Sequence, residues 1–235
     1  MPFLHCLRFA VVASAGLLAG TASSAESARY SLDPVHTRVV FAIDHAGFSK
    51  AVGTVSGSTG QLRFDPKDWA RATLQATVPL ARIDLGDAGW NKATLARNLL
   101  NVEDYATAEF VSTRVEPVAP HRASVYGTLT LRGISREIVL DVTLNAAKRH
   151  PLPPFRRTVG FSATATFSRK DFGINAWPNV IGDAVELRIE AEAIRNSGDD
   201  NNDAPDPPDD ASSAADAAKP AGTEAHPMII PKFKP

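Results

Sequence analysis

Apolar and polar residues alternate along most of the central part of this sequence. The segment DAVELRIEAEA (183–193) shows the pattern most clearly, because Val185, Leu187 and Ile189 share one side of an extended chain and the charged residues between them share the other. A period of two is typical of a β-strand with one face buried and one face in water. Similar patterns, separated by Gly, Pro, Asp or Asn, occur in TRVVFAIDH, GQLRF, WARATLQATVPL, AEFVSTRVEPV, ASVYGTLTL, EIVLDVTLN and TVGFSATATF.

The strands in these segments must bury their apolar faces against one another. An open sheet of about eight or nine such strands would leave its edges unprotected, so we predict closure into an antiparallel barrel, with a two-sheet sandwich as the alternative. One stretch departs from the alternation: NKATLARNLLNVEDY has Leu95, Leu99 and Val102 at spacings of four and three, which is typical of a helix. The sequence therefore predicts an all-β fold with one short helical insertion.

The two ends of the chain differ from this central part. Residues 1–25 have the features of a secretory signal peptide: a basic start, an apolar run, and small residues at Ser23 and Ala25. Residues 196–235 are rich in Asp, Pro, Ala and Ser and have few apolar side chains, which predicts a disordered acidic tail. The folded domain is therefore expected to span residues 26–195 of a secreted protein.

Several function classes are not indicated by the sequence. The formal net charge is −1 and no basic stripe is present, so no nucleic-acid partner is expected. The one cysteine, Cys6, lies within the predicted signal peptide, so cleavage would leave no thiol nucleophile or thiolate ligand. No later stretch approaches the roughly 18 apolar residues of a membrane span, so stable membrane insertion is not expected. Because catalytic and cofactor-binding motifs are also missing, we predict neither an enzyme nor a cofactor.

The predicted inner faces of the barrel are rich in alanine. Ala70, Ala72 and Ala76 share one such face, and Ala163 and Ala165 lie on another. Small side chains on the inside of a barrel leave a space for a ligand, or they alternate with large ones to fit the taper of a filled core, and the pattern alone does not decide between these two readings. Any ligand in an apolar interior of this kind should be mostly hydrocarbon.

Four blocks of the sequence together resemble one known family. In order along the chain they are YSLDPVHTRVVFAIDHAGFSKAVGTVSG, LARNLLNVEDYATAEFVST, GTLTLRGISREIVLDVTL and FSRKDFGINAWPNVIGDAVELRIEAEA. Their order and spacing resemble the YceI-like family of secreted polyisoprenoid-binding proteins, over essentially the whole of the expected domain. The resemblance implies a lipocalin-like extended antiparallel barrel of eight strands with a short helical insertion. It also implies a central tunnel that holds a long isoprenoid or similar amphiphilic lipid.

Eleven inward positions form the predicted ligand-binding lining of this tunnel. They are Phe41, Ile43, Leu74, Leu129, Leu131, Leu140, Val142, Phe161, Phe167, Leu187 and Ile189. At the rim, Arg169 and Lys170 could meet an anionic head group, and Trp177 could contact the ligand from a loop near the mouth of the barrel.

Two histidines and a DFG sequence are compatible with other functions, a metal site and a kinase motif respectively. If His36 and His45 belong to one strand, their separation of nine residues places them on opposite faces, so we predict no metal site and a structural hydrogen bond from His36 to the Leu-Asp-Pro turn. The DFG sequence that ends at Gly173 lacks every other kinase motif, so it is expected to be a bent strand start in which glycine relieves backbone strain. Gly133, in a hairpin turn, is expected to have a positive φ.

These observations lead to one functional expectation and two alternatives. We expect a periplasmic protein that binds, stores or transports an isoprenoid-like or other long-chain amphiphilic lipid. The first alternative is a stress-related interaction module with a filled barrel, and the second is a quinone-handling partner of a membrane redox protein. The expected partners are accordingly an isoprenoid-like lipid or a quinone, and a homodimer is a further candidate assembly.

Overall fold

The computed structural model describes residues 27–197 and contains eleven strands and one α-helix in that range. The predicted signal peptide, and the predicted tail from residue 198 onward, lie outside the described residues. The elements are β1 (Ala28–Leu32), β2 (Arg38–His45), β3 (Ser49–Ser56), β4 (Thr59–Phe64), β5 (Thr73–Pro79), β6 (Ile83–Asp84), α1 (Ala88–Leu95), β7 (Thr107–Ala119), β8 (Arg122–Leu131), β9 (Ile134–Arg149), β10 (Arg157–Ser168) and β11 (Ile181–Arg195), with 3₁₀ turns at Trp69–Arg71, Leu80–Arg82 and Arg169–Phe172.

The strands close into a barrel. Hydrogen-bonded neighbours follow the order β1, β4, β5, β7, β8, β9, β10 and β11, and β11 then pairs back onto β1, with Tyr30 opposite Arg195 and Leu32 opposite Ala193. Every pairing is antiparallel. The predicted eight-stranded antiparallel barrel is therefore confirmed, and the sandwich alternative is wrong. Closure protects the edges that an open sheet of this size would expose.

Three strands of this barrel are each broken in the middle, which explains why eleven segments form eight strands. One of them consists of β5 and β6, which are separated by the 3₁₀ turn at Leu80–Arg82 and pair with β4 and β3. β11 pairs with β1 near its end and with β2 before that, so β1 and β2 follow one another along the same edge. The break between them is a turn in which the Asp33 carboxylate accepts the Val35 N–H at 2.7 Å. β3 and β4 are separated in the same way at Gly57, whose φ of 78° is a left-handed conformation that glycine adopts without steric cost.

The alternation in the sequence correctly indicates which residues face inward on the later strands. Ala108 and Phe110 of β7 are buried, whereas Glu109 between them is exposed. The sequence pattern missed β3, because its inward positions include Gly53 and its outward positions include the exposed Val52. A β-carbon at Gly53 would lie 2.3 Å from Cζ of Phe41, so glycine here makes room for an aromatic ring inside the barrel.

The helix begins and ends earlier than its sequence pattern suggests. α1 covers Ala88–Leu95, and the Asp87 carboxylate accepts the Trp90 N–H at 2.9 Å as its N-cap. The prediction of a helix that continues through Leu99 and Val102 is wrong, since the chain forms successive turns there and reverses at Asn101 with a φ of 51°. No helix within residues 27–197 is long and apolar enough to cross a membrane.

Candidate functional site

The barrel interior contains a cavity of about 460 Å³, which lies within the range of small-molecule sites. Its wall is formed almost entirely by apolar side chains from the inner faces of the strands. Along β11 the inward residues Val185, Leu187, Ile189 and Ala191 are only partly buried, and Ala193 is the first that is fully buried. An inner face that is accessible over most of its length indicates an unfilled space and not a packed core.

All eleven residues of the predicted lining lie on the wall of this cavity. They include Phe41 and Ile43 of β2, which lie two residues apart and face the same side of the strand. Their placement agrees with the prediction, and their role in ligand binding stays a prediction. The full set is Phe41, Ile43, Leu74, Leu129, Leu131, Leu140, Val142, Phe161, Phe167, Leu187 and Ile189.

Alanine provides much of the space. Ala72, Ala76 and Ala163 lie in the cavity wall as their strand patterns suggest, and Ala191 faces Phe161 across the β10–β11 pair. Ala70 differs from the prediction, because it lies in a 3₁₀ turn and is exposed. A methyl group in place of a larger side chain removes neighbours that would otherwise fill the interior, and the cavity follows from that.

The floor of the cavity is an aromatic cluster. The rings of Phe64 and Phe161 meet edge to face with centroids 5.2 Å apart, and Trp69 meets Phe64 in the same way at 5.2 Å. Tyr30 and Val159 pack into the same cluster at the end of the barrel where β11 finishes. Edge-to-face aromatic contacts of this kind add to the free energy gained by burial, so this end of the barrel is well packed.

The opposite end of the cavity carries two half-exposed tryptophans. Trp90 of α1 is 44% exposed and Trp177, in the loop before β11, is 49% exposed, yet both contribute to the cavity wall. His45 lies against Trp90, with ring centroids 5.4 Å apart. Side chains that face both solvent and cavity mark the mouth, so Trp177 lies where the sequence predicted a mouth residue.

Arg169 contributes to the cavity wall, but its guanidinium is bonded to the backbone and does not present its charge to an anionic head group at the rim, which is the role that the sequence suggested. Its side chain is only 2% exposed, and its guanidinium donates to four backbone carbonyls, at 2.7 Å to Gly182 and to Ile174, 2.8 Å to Ile181 and 2.9 Å to Ala176. Burial lowers its pKa from the ordinary arginine value. Because these carbonyls belong to the loop that bears the mouth tryptophan and to the first two residues of β11, Arg169 fixes the shape of the mouth.

Lys170 also differs from the predicted rim group, since it is exposed and is not part of the cavity wall. Its backbone N–H donates to Oδ1 of Asp183 at 3.2 Å, and the Ser168 hydroxyl donates to the same oxygen at 2.8 Å. The bond from Ser168 is the main reason why the pKa of Asp183 is lowered. These polar groups hold the outer side of the turn in place.

The DFG sequence forms a 3₁₀ turn and not the start of a strand, so that expectation is wrong. Phe172 is fully buried and packs edge to face on Phe167 with centroids 5.2 Å apart. Gly173 has a φ of 70° and ends the turn, and its carbonyl accepts a bond from Arg132 at 2.7 Å. The expected glycine conformation is therefore confirmed at Gly173, and likewise at Gly133, where φ is 72°.

The two histidines do not share one strand, because His36 lies in the turn before β2 and His45 is the last residue of β2, so the argument from opposite faces does not apply. Nδ1 of His36 lies 2.8 Å from Oδ2 of Asp33 and 3.9 Å from a carboxylate oxygen of Glu192, so the predicted bond to the Leu-Asp-Pro turn is confirmed. The Asp33, His36 and Glu192 side chains could approach one cation, but the hydrogen bond between His36 and Asp33 already accounts for their arrangement. His45 lies at the cavity mouth.

The His36–Asp33 pair should give the protein a small pH dependence of stability. The hydrogen bond to Asp33 raises the pKa of His36, so the stabilisation is fully present below the unfolded-state value of about 6.5 and is lost as pH rises through the folded-state value. Asp33→Asn keeps the oxygen that accepts the Val35 N–H and removes the charge. We expect this variant to lower Tm more at about pH 5.5 than at about pH 8, by a small amount because solvent screens an exposed pair.

An NMR titration of the His36 ring provides the direct measurement. In the Asp33→Asn variant the titration midpoint should fall relative to the natural protein, because the carboxylate that favours the protonated ring is gone. An unchanged midpoint would show that the contact does not operate in solution.

Comparisons with known proteins identify the barrel. The model of the YceI-like domain matches residues 30–193. A UPF0312 protein of Serratia proteamaculans is 33% identical over 184 residues, covering 77% of this chain and 94% of the relative. Burkholderia cenocepacia BcnA has a similar crystal structure, with a TM-score of 0.62, 21% identity, and coverage of 68% of this chain and 98% of BcnA. A polyisoprenoid binding domain from Saccharophagus degradans aligns with a TM-score of 0.55 and 14% identity, covering 71% and 98% of the two chains. On these grounds the chain belongs to the YceI-like domain family.

Proposed function

We propose that this protein binds a long, mostly hydrocarbon lipid of the isoprenoid type inside its barrel and stores or carries it in the bacterial periplasm. The observation that carries the proposal is the apolar cavity that runs from the half-exposed tryptophans at the mouth to the aromatic floor. The similarity to a polyisoprenoid binding domain gives independent support for this ligand class. The signal-like residues 1–25 support the periplasmic location.

Burial of hydrocarbon would supply the affinity. Each CH₂ group removed from water contributes on the order of 0.8 kcal/mol, so a long chain can bind strongly without any charged contact. Specificity would then follow from the length and shape of the cavity and from the few polar atoms along it.

Binding is proposed here in preference to catalysis because of the chemistry of the wall. Catalysis requires polar groups that converge on a reacting atom. The Arg169 guanidinium is engaged by backbone carbonyls, and Asp44 and His45 lie at the mouth end of β2. Along the rest of the described wall the side chains are apolar, carry single hydroxyl groups or are tryptophans, each with one indole N–H.

Native mass spectrometry of the protein purified from a bacterial periplasm tests this proposal. We expect a species with one bound lipid, and organic extraction should release an isoprenoid chain. Release of a quinone would still support a ligand-binding tunnel, and it would favour the alternative in which the protein handles a quinone.

A truncated chain that lacks residues 198–235 is the matched control. It retains Asn196, whose backbone N–H donates to the Arg29 carbonyl at 2.9 Å, so the end of β11 stays intact. We expect this chain to keep its lipid. If the full-length protein carries no lipid and does not take up polyprenyl lipids or a fluorescent apolar probe, the proposed function is wrong.

A further inference from the structure

The hairpin of β9 and β10 projects from the end of the barrel where these two strands contribute to the aromatic floor. On one side, the pairing of β9 with β8 stops at Thr143, and β9 continues beside β10 beyond this point. On the other side, the last pairing of β10 with β11 joins Thr158 to Ile194. Residues 148–157 form the end of this hairpin, the β9–β10 tip, and residues 151–156 within it are all exposed.

Two large apolar side chains of the β9–β10 tip face solvent. Leu152 is 64% exposed and Phe155 is 52% exposed. The Phe155 N–H donates to the Leu152 carbonyl at 2.9 Å, which closes a turn and holds the two residues close together. Neighbouring apolar side chains that are exposed and surrounded by polar residues are typical of an interaction site.

Basic residues flank this apolar pair on both sides. Lys148 and Arg149 precede it, and Arg156 and Arg157 follow it. The sequence contains no acidic residue in the range 142–170, although the formal net charge of the whole chain is −1. Arg149 and Arg157 are cross-strand partners and share one face of the hairpin, whereas Lys148, the neighbour of Arg149, lies on the other face. The tip is therefore locally positive on both faces.

Two of these charges are available to a partner. Within residues 27–197, Lys148 forms no ion pair, and Arg156 donates to the neutral hydroxyl of Ser197 at 3.0 Å. The nearby carboxylates of β11 are engaged elsewhere, because Glu190 accepts bonds from the Ser162 hydroxyl and from Arg188. Charged side chains that face water at a projecting tip can meet an anionic surface without desolvation of a buried site.

The surface of an anionic bilayer matches both features of the tip. Phosphate groups and acidic head groups attract lysine and arginine side chains that lie near the membrane surface. The interfacial layer beneath them accepts leucine and aromatic side chains. A soluble polyanion would match the charges, but it would leave Leu152 in water. The apolar pair therefore favours a bilayer over a nucleic acid or another soluble polyanion.

We propose that the β9–β10 tip is a docking site for the surface of a bilayer that contains anionic phospholipids. Leu152 and Phe155 enter the interfacial layer, and Lys148 and Arg156 contact the phosphate groups. This inference does not depend on the ligand of the cavity. β10 has twelve residues, or roughly 40 Å of extended chain, and it runs from the tip toward the mouth loop. Docking through the tip therefore leaves the mouth of the cavity facing away from that bilayer.

Vesicle flotation tests the docking site. The natural protein should float with vesicles made of equal parts of phosphatidylcholine and phosphatidylglycerol, more weakly as salt is added, and much less with phosphatidylcholine alone. Lys148→Gln and Arg156→Gln should each lower the partition coefficient roughly fivefold. Leu152→Ser combined with Phe155→Ser should lower it roughly tenfold. All these variants should keep the natural Tm, because the replaced side chains are exposed.

Phe48→Ser and Lys92→Gln are the matched controls at the other end of the barrel. Phe48 is 93% exposed in the turn between β2 and β3, and this turn is bonded to the mouth loop through the Ala46 N–H and the Val180 carbonyl. Lys92 is exposed on α1. Neither replacement should change vesicle binding. Brominated phospholipids, which quench indole fluorescence inside a bilayer, should quench Phe155→Trp much more than Phe48→Trp.

Three results would overturn the proposal. The first is a natural protein that does not float with the mixed vesicles. The second is an equal loss of binding in Phe48→Ser and in the variant that lacks both apolar side chains of the tip, because the docking surface would then not be specific to the tip. The third is a loss of binding in Lys148→Gln and Arg156→Gln but not in the apolar variant, together with competition by heparin, which would make the tip a site for soluble polyanions.

Discussion

Replacing Arg169 with methionine should lower the free energy of unfolding by several kcal/mol and leave little folded protein at physiological temperature. The reason is the set of four backbone carbonyls that accept bonds from its guanidinium. A buried polar group that loses its partner costs about 1–3 kcal/mol, and a domain of this size has about 5–15 kcal/mol of total stability. Methionine fills a similar volume but donates nothing, so the loss of hydrogen bonds dominates the effect.

Guanidinium chloride unfolding, followed by circular dichroism, measures this effect. Lys170→Met is the matched control, because the neighbouring side chain is exposed and its replacement should change the free energy of unfolding by no more than about 0.5 kcal/mol. Arg169→Lys should be intermediate, since one ammonium group cannot reach carbonyls spread along the loop. If Arg169→Met remains within about 1 kcal/mol of the natural protein, the mouth loop does not depend on this residue.

The burial of Arg169 could not be predicted from the sequence. The sequence places an arginine beside a lysine at the end of a predicted strand, and two adjacent charges most often face solvent. Which of them turns inward depends on where the loop of residues 174–180 and the start of β11 place their carbonyls, and that geometry arises only when the loop is closed by tertiary contacts. Composition and period carry no information about it.

The barrel and its inner faces could be predicted because one local property determines both. Once a segment is a strand, a period of two assigns every residue to a face, and a single error of register would move all of them together. The apolar stripe of β11 therefore identified Leu187 and Ile189 as inward residues, and Phe161 of β10 followed from its own alternation. Neither identification required knowledge of the partner strands.

The pattern failed where the strands are interrupted or where glycine replaces an apolar side chain. β3 was missed because Gly53 makes room for an aromatic ring from the adjacent strand, and this close approach leaves no hydrophobic signal. Ser58, which lies in the cavity wall, was missed for a related reason: it lies in a break, where alternation no longer indicates the face on which a side chain lies.

Narrowing the cavity should weaken lipid binding without loss of stability. Ala76 of β5 faces the cavity between Leu74 and Val78, and its side chain is only partly buried although it points inward. In a filled core, a change from alanine to phenylalanine would cost about 1–3 kcal/mol of stability through overpacking. In an open cavity the new ring finds space, gains apolar contacts, and excludes two or three CH₂ groups of the ligand, which corresponds to a loss of about 2 kcal/mol or roughly 30-fold in affinity.

Gln75→Phe is the matched control for Ala76→Phe, because Gln75 is the adjacent residue of β5 and is exposed on the outer face of the barrel. Titration of both variants with a fluorescent apolar probe, together with their thermal unfolding, shows whether the alanine-rich wall bounds an open ligand space or a filled core. Probe binding that is about 30-fold weaker, with an unchanged or higher Tm, in Ala76→Phe alone would show that the inner face bounds a tunnel that holds the ligand. A lower Tm with unaltered probe binding would mean that the barrel is filled at this level and that the lipid, if bound, lies elsewhere.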